Sequence, residues 1–221
     1  LFSPGWFFFG LASLGRFALN IGFLERPLVL GMLWGALCGD WPTSLGIAVF
    51  FELLWVDLSP AGTYIPPHSI LPTLLCLSLG KLLGLSTPWN ILPLLGLAAP
   101  LAWVGSKMES WQRIIQNGSF NRLLNWARED AEKFRPKILI HTSLLQILFM
   151  NVFLFVGSFC LLFALIEEIL PLWPAGGAWL AWPHLWMLAL VGPISGLRLR
   201  KAYFTLLMGA FTLLLLVAFL K

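Results

Sequence analysis

The residues of this sequence that could bind a polar solute are charged and helix-breaking residues set inside apolar sequence. A charged side chain costs at least about 2.5–3.5 kcal/mol at the bilayer centre on insertion scales, so it is usually retained for a task. Proline and glycine free backbone polar groups, which are tolerated at that depth only where protein or a polar cavity satisfies them. Together such residues predict a path or pocket for a polar solute. They are Arg26-Pro27, Gly39-Asp40, Glu52, Asp57 and the run Gly62-Thr63-Tyr64-Ile65-Pro66-Pro67-His68.

Glu52 is the carboxylate most deeply embedded in apolar sequence, and two interpretations of it are open. It is either a structural carboxylate paired with Arg16 or Arg26, or an acceptor of hydrogen bonds from sugar hydroxyls. A carboxylate suits the second task because its two oxygens accept charge-assisted hydrogen bonds. Trp55 and Tyr64 could stack on the apolar face of a sugar ring, although single aromatics of this kind are more often belt or core residues.

The run from Gly62 to His68 predicts an extended crossing. Pro66-Pro67 excludes regular helix and restricts Ile65 to extended geometry. We therefore expect backbone N–H and C=O groups of this segment to be free to bind a solute. His68 is a donor, an acceptor or a pH-sensitive group there, and the alternative is a hydrogen-bonded structural histidine.

The composition predicts an integral membrane protein of the all-α class. Hydrophobic residues make up 59% of the 221 residues and charged residues 11%, against roughly 25% charged in soluble proteins. The length suffices for about six to eight spans of roughly 20 residues each. The long apolar runs lack the alternation of barrel strands. The three cysteines are dispersed without a CxxC spacing, so they predict buried thiols and no metal site.

The fold prediction is a polytopic transmembrane helical protein with a re-entrant hairpin and a Pro-broken crossing. Leu28 to Cys38 and Leu45 to Val56 are short apolar arms around Gly39-Asp40, which favours a hairpin over two full spans. Pro93 and Pro100 predict kinks in a later span.

The chain divides at its one long hydrophilic segment. This segment is rich in lysine and arginine, so the positive-inside rule places it in the cytoplasm. It predicts either amphipathic helices lying on a surface or a partner, or a solvated basic loop. The predicted regions are 1–106, the N-terminal membrane region with the hairpin and solute site; 107–137, the basic segment; and 138–221, the C-terminal membrane region.

Motifs for catalysis are missing from the sequence. The three histidines are far apart, there is no HExxH, and no Walker A loop occurs. The closest match to the Gly-x-Ser-Gly of an intramembrane serine protease, at 193–196, lacks the first glycine. The sequence therefore favours transport over catalysis, without a cofactor or a metal.

The N-terminal third resembles the IIC subunit of the mannose/fructose/sorbose family of bacterial sugar phosphotransferase systems (PTS). In that family an Arg-Pro-Leu segment leads to a Gly-Asp turn, followed by a Glu-containing hairpin and a crossing with Pro-Pro. The residues 141–146, which follow the basic segment, also resemble the family pattern. The matching residues are Arg26-Pro27-Leu28-Val29, Gly35, Gly39-Asp40, Thr43, Gly46, Glu52-Leu53, Gly62-Thr63 and Pro67.

The resemblance implies a sugar-translocating subunit in the bacterial inner membrane. It would pair with a IID subunit in a trimeric complex, while cytoplasmic IIA and IIB subunits relay phosphate to the incoming hexose. No residue of the IIC chain itself would be phosphorylated. Glu52 and the 62–68 crossing fall where the family contacts its substrate, and Asp57, Thr63 and His68 would complete the polar ring.

Two other functions are consistent with the sequence. One is a proton-coupled secondary transporter that uses Glu52, Asp57 and His68 as a relay. The other is a divergent membrane scaffold or sensor that does not transport. The second alternative arises because His68 stands where the family usually has an acidic residue.

Overall fold

The computed structural model describes residues 26–56, 65–129, 136–174, 176–177 and 179–196. Regular structure in these ranges is helical throughout, without a β-strand, which confirms the predicted all-α fold. Two helical stretches there, Pro88–Gly118 and His141–Leu172, are long and apolar enough to cross a membrane. The helices are α1 (Pro27–Cys38), α2 (Trp41–Leu54), α3 (Ile70–Leu82), α4 (Pro88–Ala98), α5 (Leu101–Glu129), α6 (Pro136–Ile169), a short 3₁₀ helix (Leu170–Leu172), α7 (Trp182–Ala189) and α8 (Val191–Gly196).

Helices α1 and α2 form the predicted hairpin. Gly39 ends α1 in the left-handed region at φ +70°, which glycine adopts without steric cost. Asp40 then begins α2, and its Oδ1 accepts a hydrogen bond from the Thr43 backbone N–H at 3.3 Å. The arms have 12 and 14 residues, about 18 and 21 Å at 1.5 Å per residue. Both are shorter than a hydrocarbon core of roughly 30 Å, as a re-entrant hairpin requires.

Helix α3 is the centre of the molecule. It packs against α1, α2, α4, α5 and α6, and its residues from Ile70 to Gly80 are all buried. A mainly apolar helix that is buried on every face is typical of a protein core or of a membrane region. At its C-terminal end Lys81 Nζ donates to the Cys38 carbonyl at 3.4 Å, so the ends of α3 and α1 meet at the hairpin turn.

The two predicted proline kinks differ in the structure. Pro93 lies inside α4 without ending it. At Ala99-Pro100 the helix breaks, and α5 begins at Leu101. A proline cannot donate to the preceding turn, which explains an interruption at this point.

Helix α5 continues through the hydrophilic segment as far as Glu129. Residues 107–129 of the basic segment are thus helical. Helix α6 returns from Pro136 over 34 residues, about 51 Å, which exceeds the thickness of a hydrocarbon core.

Helices α7 and α8 pack on α2 through close contacts at glycine. The Trp182 ring lies where a Cβ at Gly46 would sit, and Gly192 lies against the Leu54 carbonyl in the same way. Trp186 Nε1 donates to the Gly46 carbonyl at 3.1 Å. The hairpin is therefore braced by helices more than 130 residues later in the chain.

Candidate functional site

Two pairs of helix ends meet on the side of the molecule opposite the hairpin turn. The N-terminal end of α1 and the C-terminal end of α2 meet through Arg26 and Glu52. The start of α3 meets the break between α4 and α5, because the His68 N–H donates to the Ala102 carbonyl at 3.0 Å. These ends lie one helix length, about 18–20 Å, from the hairpin turn. Transporters build their solute sites from such interrupted helices near the middle of the membrane.

Glu52 is held by two donors from the start of α1. Its Oε1 accepts from Arg26 Nη1 at 2.9 Å, and its Oε2 accepts from the Leu28 backbone N–H at 3.2 Å. Helix N-termini favour anions because their first N–H groups have no partner inside the helix. Pro27 has no N–H to satisfy, which leaves the Leu28 N–H as the donor that Glu52 caps. The ion-pair interpretation of Glu52 thus finds its partner in Arg26.

The ion pair leaves Glu52 able to accept more hydrogen bonds. An ionised carboxylate offers about four lone-pair sites, and donors from the described part of the chain occupy two of them. The Glu52 side chain is 19% exposed and the Arg26 side chain 58% exposed, so neither side chain of the ion pair is fully buried. A structural carboxylate and a sugar acceptor are therefore compatible roles for this residue.

Trp55 lies in the aromatic core. Its ring stacks on Phe51 with centroids 5.4 Å apart and an interplanar angle of 10°. Trp55 is 8% exposed. With one face covered by Phe51, this placement favours the core interpretation of Trp55 over that of a sugar platform.

The end of the predicted crossing is non-helical, as expected for Pro66-Pro67. Residues 65–68 carry no regular structure, and Pro67 and His68 are buried. The expectation of free backbone groups does not hold at His68, because its N–H donates to Ala102 and its carbonyl accepts from the Leu71 N–H at 3.3 Å. An ideal Cβ at Gly105 would lie 2.7 Å from the His68 Cβ, so α5 also fixes the position of this side chain.

Four of the predicted solute contacts lie outside the described residues: Asp57, Gly62, Thr63 and Tyr64. Of the predicted hairpin and crossing residues, Arg26, Pro27, Gly39 and Asp40 lie at the ends of α1 and α2, and Pro66 and Pro67 lie in the non-helical stretch before α3. The structure thus brings Arg26 and Glu52 together, and it places His68 beside the α4–α5 break.

A polar face between α5 and α6 was missed by the sequence reasoning. Gln112 Nε2 donates to Asn151 Oδ1 at 3.2 Å with both residues buried. Arg113 Nη2 donates to Glu109 Oε1 at 2.7 Å, and the Glu109 side chain is 4% exposed. The sequence feature that indicates this polar face is the spacing of Ser106, Glu109 and Gln112, which lie three residues apart and so on one face of a helix.

No group of three or more His, Cys, Asp or Glu side chains within the described ranges is arranged to hold a metal ion. Among the described residues, Glu52 accepts hydrogen bonds from the Arg26 guanidinium and the Leu28 N–H. Donors of this kind orient a carboxylate for hydrogen bonding.

Comparison with known families identifies the chain. A family model described as the PTS sorbose-specific IIC component matches residues 6–176. The chain belongs to this family. No curated protein and no solved structure matches the sequence. The match includes the hairpin, the crossing and the polar face of α5 and α6.

Membership of the IIC family confirms the resemblance and the principal functional prediction. IIC chains are the sugar-translocating membrane subunits of PTS permeases, and sugar translocation is the function of this chain. It is a transport subunit that works together with other components of the phosphotransferase system.

Proposed function

We propose that this IIC chain binds a hexose-type sugar beside Glu52, where the ends of α1 and α2 meet, and passes it on for phosphorylation by a IIB subunit. The observation that carries the proposal is the Glu52 carboxylate, which two donors orient while it keeps capacity for further hydrogen bonds. Sugar hydroxyls are the donors that this acceptor suits, since hydrogen bonds to an ionised group are stronger than neutral ones.

The remaining site residues follow from sequence position and from the placement of His68. Gly62, Thr63, Tyr64 and Asp57 lie in the sequence between Glu52 and His68. We assign Asp57, Thr63 and His68 to the polar ring around the sugar and Tyr64 to ring stacking. Trp55 supports this region from the core through Phe51.

The complex around the chain is assigned from family membership. The proposal includes a IID membrane subunit, cytoplasmic IIA and IIB subunits, a trimeric assembly and several passes through the bacterial cytoplasmic membrane. The phosphorylated residues belong to the other subunits. Lys107 and Arg113, both exposed on α5, lie on the cytoplasmic side under the positive-inside rule.

The test is sugar phosphorylation coupled to uptake. Cells that express this chain with candidate IID, IIA and IIB subunits are given radiolabelled mannose, fructose or sorbose, and phosphorylated product is measured. Glu52→Gln is expected to lower product formation about tenfold or more, because it removes a charged acceptor. Glu168→Gln is the matched control: this exposed carboxylate on α6 belongs to no proposed contact, and full activity is expected.

Each alternative function predicts a different outcome. Uptake of free sugar that stops when the proton gradient is discharged would replace the proposal by a proton-coupled carrier. A folded, partnered chain that moves none of the three sugars would leave the scaffold or sensor. Product formation that is unchanged in Glu52→Gln would remove Glu52 from the sugar site.

A further inference from the structure

We propose that Arg26 is a positioning residue for sugar binding, which acts by holding the Glu52 carboxylate in one orientation. The inference rests on the proposed function, in which Glu52 accepts hydrogen bonds from the sugar. It assigns Arg26 a part in affinity for sugar, in addition to closing the open end of the α1–α2 hairpin.

The start of α1 holds Arg26 in place. Its backbone is extended, at φ −75° and ψ 128°. Its carbonyl accepts from the N–H groups of Val29 and Leu30 at 3.1 and 3.2 Å. Pro27 follows with its φ angle fixed by the ring. The guanidinium therefore reaches Glu52 from a rigid base, and only the Arg26 side chain itself must be ordered.

Two donors on different oxygens orient a carboxylate better than one. Arg26 binds Oε1 and the Leu28 N–H binds Oε2. If the Arg26 donor is removed, the Leu28 N–H alone permits rotation of the carboxylate about the Cγ–Cδ bond. The lone pairs that face the sugar then lose their fixed direction, and binding must order them at an entropic cost.

Substitution of Arg26 by lysine or glutamine separates the effect of its charge from the effect of its hydrogen-bond donors. A guanidinium donates through a planar set of N–H groups, whereas lysine presents a flexible ammonium. Arg26→Lys keeps the charge and a donor, so it is expected to preserve most of the affinity. Arg26→Gln keeps a neutral amide donor and loses the charge-assisted hydrogen bond.

The experiment is a double-mutant cycle on the complex of this chain with its partner subunits. Equilibrium binding of radiolabelled mannose, fructose and sorbose is measured in turn, together with the thermal unfolding midpoint of the same preparations. The variants are Arg26→Lys, Arg26→Gln, Glu52→Gln and the neutral pair Arg26→Gln/Glu52→Gln. The thermal unfolding midpoint measures the stability that the hairpin contact contributes, and the dissociation constant measures affinity for the sugar.

The expected result separates affinity from stability. Arg26→Gln weakens binding about tenfold or more, while Arg26→Lys stays within about threefold of the wild type. The neutral pair binds about as weakly as Glu52→Gln alone, because Arg26 acts through Glu52. The neutral pair also unfolds at a higher temperature than either single glutamine variant, since its two amides can hydrogen-bond to each other.

Four results would overturn the inference, and they point to three different failures. Wild-type affinity in Arg26→Gln with lost affinity in Glu52→Gln removes Arg26 and keeps the proposed site. Wild-type affinity in Glu52→Gln, or a wild-type complex that binds none of the three sugars, removes the proposed site itself. Full binding by the neutral pair shows that the Arg26–Glu52 contact serves only the fold.

Discussion

At the scale of single residues, Glu52 stabilises the start of α1 and is also the proposed acceptor for the sugar. Its ion pair with Arg26 and its contact with the Leu28 N–H satisfy the start of α1. An unpaired carboxylate in apolar surroundings would be costly. Oriented acceptors at interrupted helix ends are also what a transporter needs for a polar solute. The two interpretations of Glu52 are therefore complementary.

Gly105 is a residue-scale test of the placement of His68. A Cβ on Gly105 would lie 2.7 Å from the His68 Cβ, and backbone contacts hold His68 in place. We expect Gly105→Ala to destabilise the protein by about 1–3 kcal/mol, as overpacked cores do, and to lower sugar uptake.

The matched control for Gly105→Ala is Gly118→Ala on the same helix, where a Cβ would meet open space. It is expected to leave uptake unchanged and to stabilise α5 slightly, since alanine has the higher helix propensity. Thermal unfolding midpoints and uptake rates of the two variants test the difference. Equal behaviour would mean that α5 does not fix His68.

At the scale of secondary-structure elements, polar contacts at a few positions set how apolar helices meet. Association of helices in a membrane relies on close packing and interhelical hydrogen bonds, since lipid is as apolar as leucine. Gln112 and Asn151 supply such a bond between α5 and α6, in a buried position. Gly46 and Gly192 supply close packing between α2 and the pair α7 and α8.

The Gln112–Asn151 pair gives a prediction for the two long helices. Asn151→Leu leaves the buried Gln112 amide without this partner, which we expect to cost about 1–3 kcal/mol. The variant Gln112→Met/Asn151→Leu removes both amides with little change of volume and is expected to recover most of the stability. Unfolding by denaturing detergent measures both. A double variant less stable than Asn151→Leu would contradict the interpretation.

The hairpin turn gives a second element-scale prediction. Gly39 is left-handed at φ +70°, and a Cβ there would meet nothing within 4 Å. The cost of Gly39→Ala is therefore backbone strain alone, about 1–2 kcal/mol. Gly39→Asn is expected to cost less, because asparagine tolerates this region. Thermal unfolding of the two variants checks the order, and the reverse order would exclude a left-handed turn.

At the scale of the whole molecule, the basic segment and a pair of tryptophans, Trp173 and Trp179, lie towards opposite ends of α6. The basic end of α5 leads towards the start of α6 at Pro136. At the other end, Trp89 Nε1 donates to the Pro174 carbonyl at 2.9 Å, and the Trp89 ring lies 5.2 Å from Trp173 and 5.9 Å from Trp179. Tryptophan is typical of membrane interfaces, and basic residues of the cytoplasmic side.

This polarity predicts which side of the membrane each end faces. In a variant without the three native cysteines, Asn117→Cys on the exposed face of α5 should react with a membrane-impermeant maleimide only from the cytoplasmic side. Trp179→Cys, where the native side chain is 69% exposed, should react only from outside. Labelling of intact cells and inverted vesicles distinguishes the two. Labelling of both sites from one side would exclude the proposed orientation.

The sequence by itself determined the class of protein, the family and the local breaks. The hydropathy of a segment is set by its own residues. The left-handed turn at Gly39, the cap at Asp40 and the loss of helix at Pro66-Pro67 likewise follow from the residue types at those positions. For the same reason the hairpin could be predicted from the order of residues along the chain. The extent of α5 could not, because charged residues are compatible with helix or loop until packing decides between them.

Only the tertiary structure decided which residues meet across long stretches of chain. It selected Arg26 as the partner of Glu52, placed Trp55 in the core, and joined Gln112 to Asn151 and Trp186 to Gly46. Each of these contacts depends on how whole helices pack, and neither residue type nor spacing specifies that packing. The chemistry of the proposed site therefore follows from the sequence, and its geometry follows from the packing of the helices.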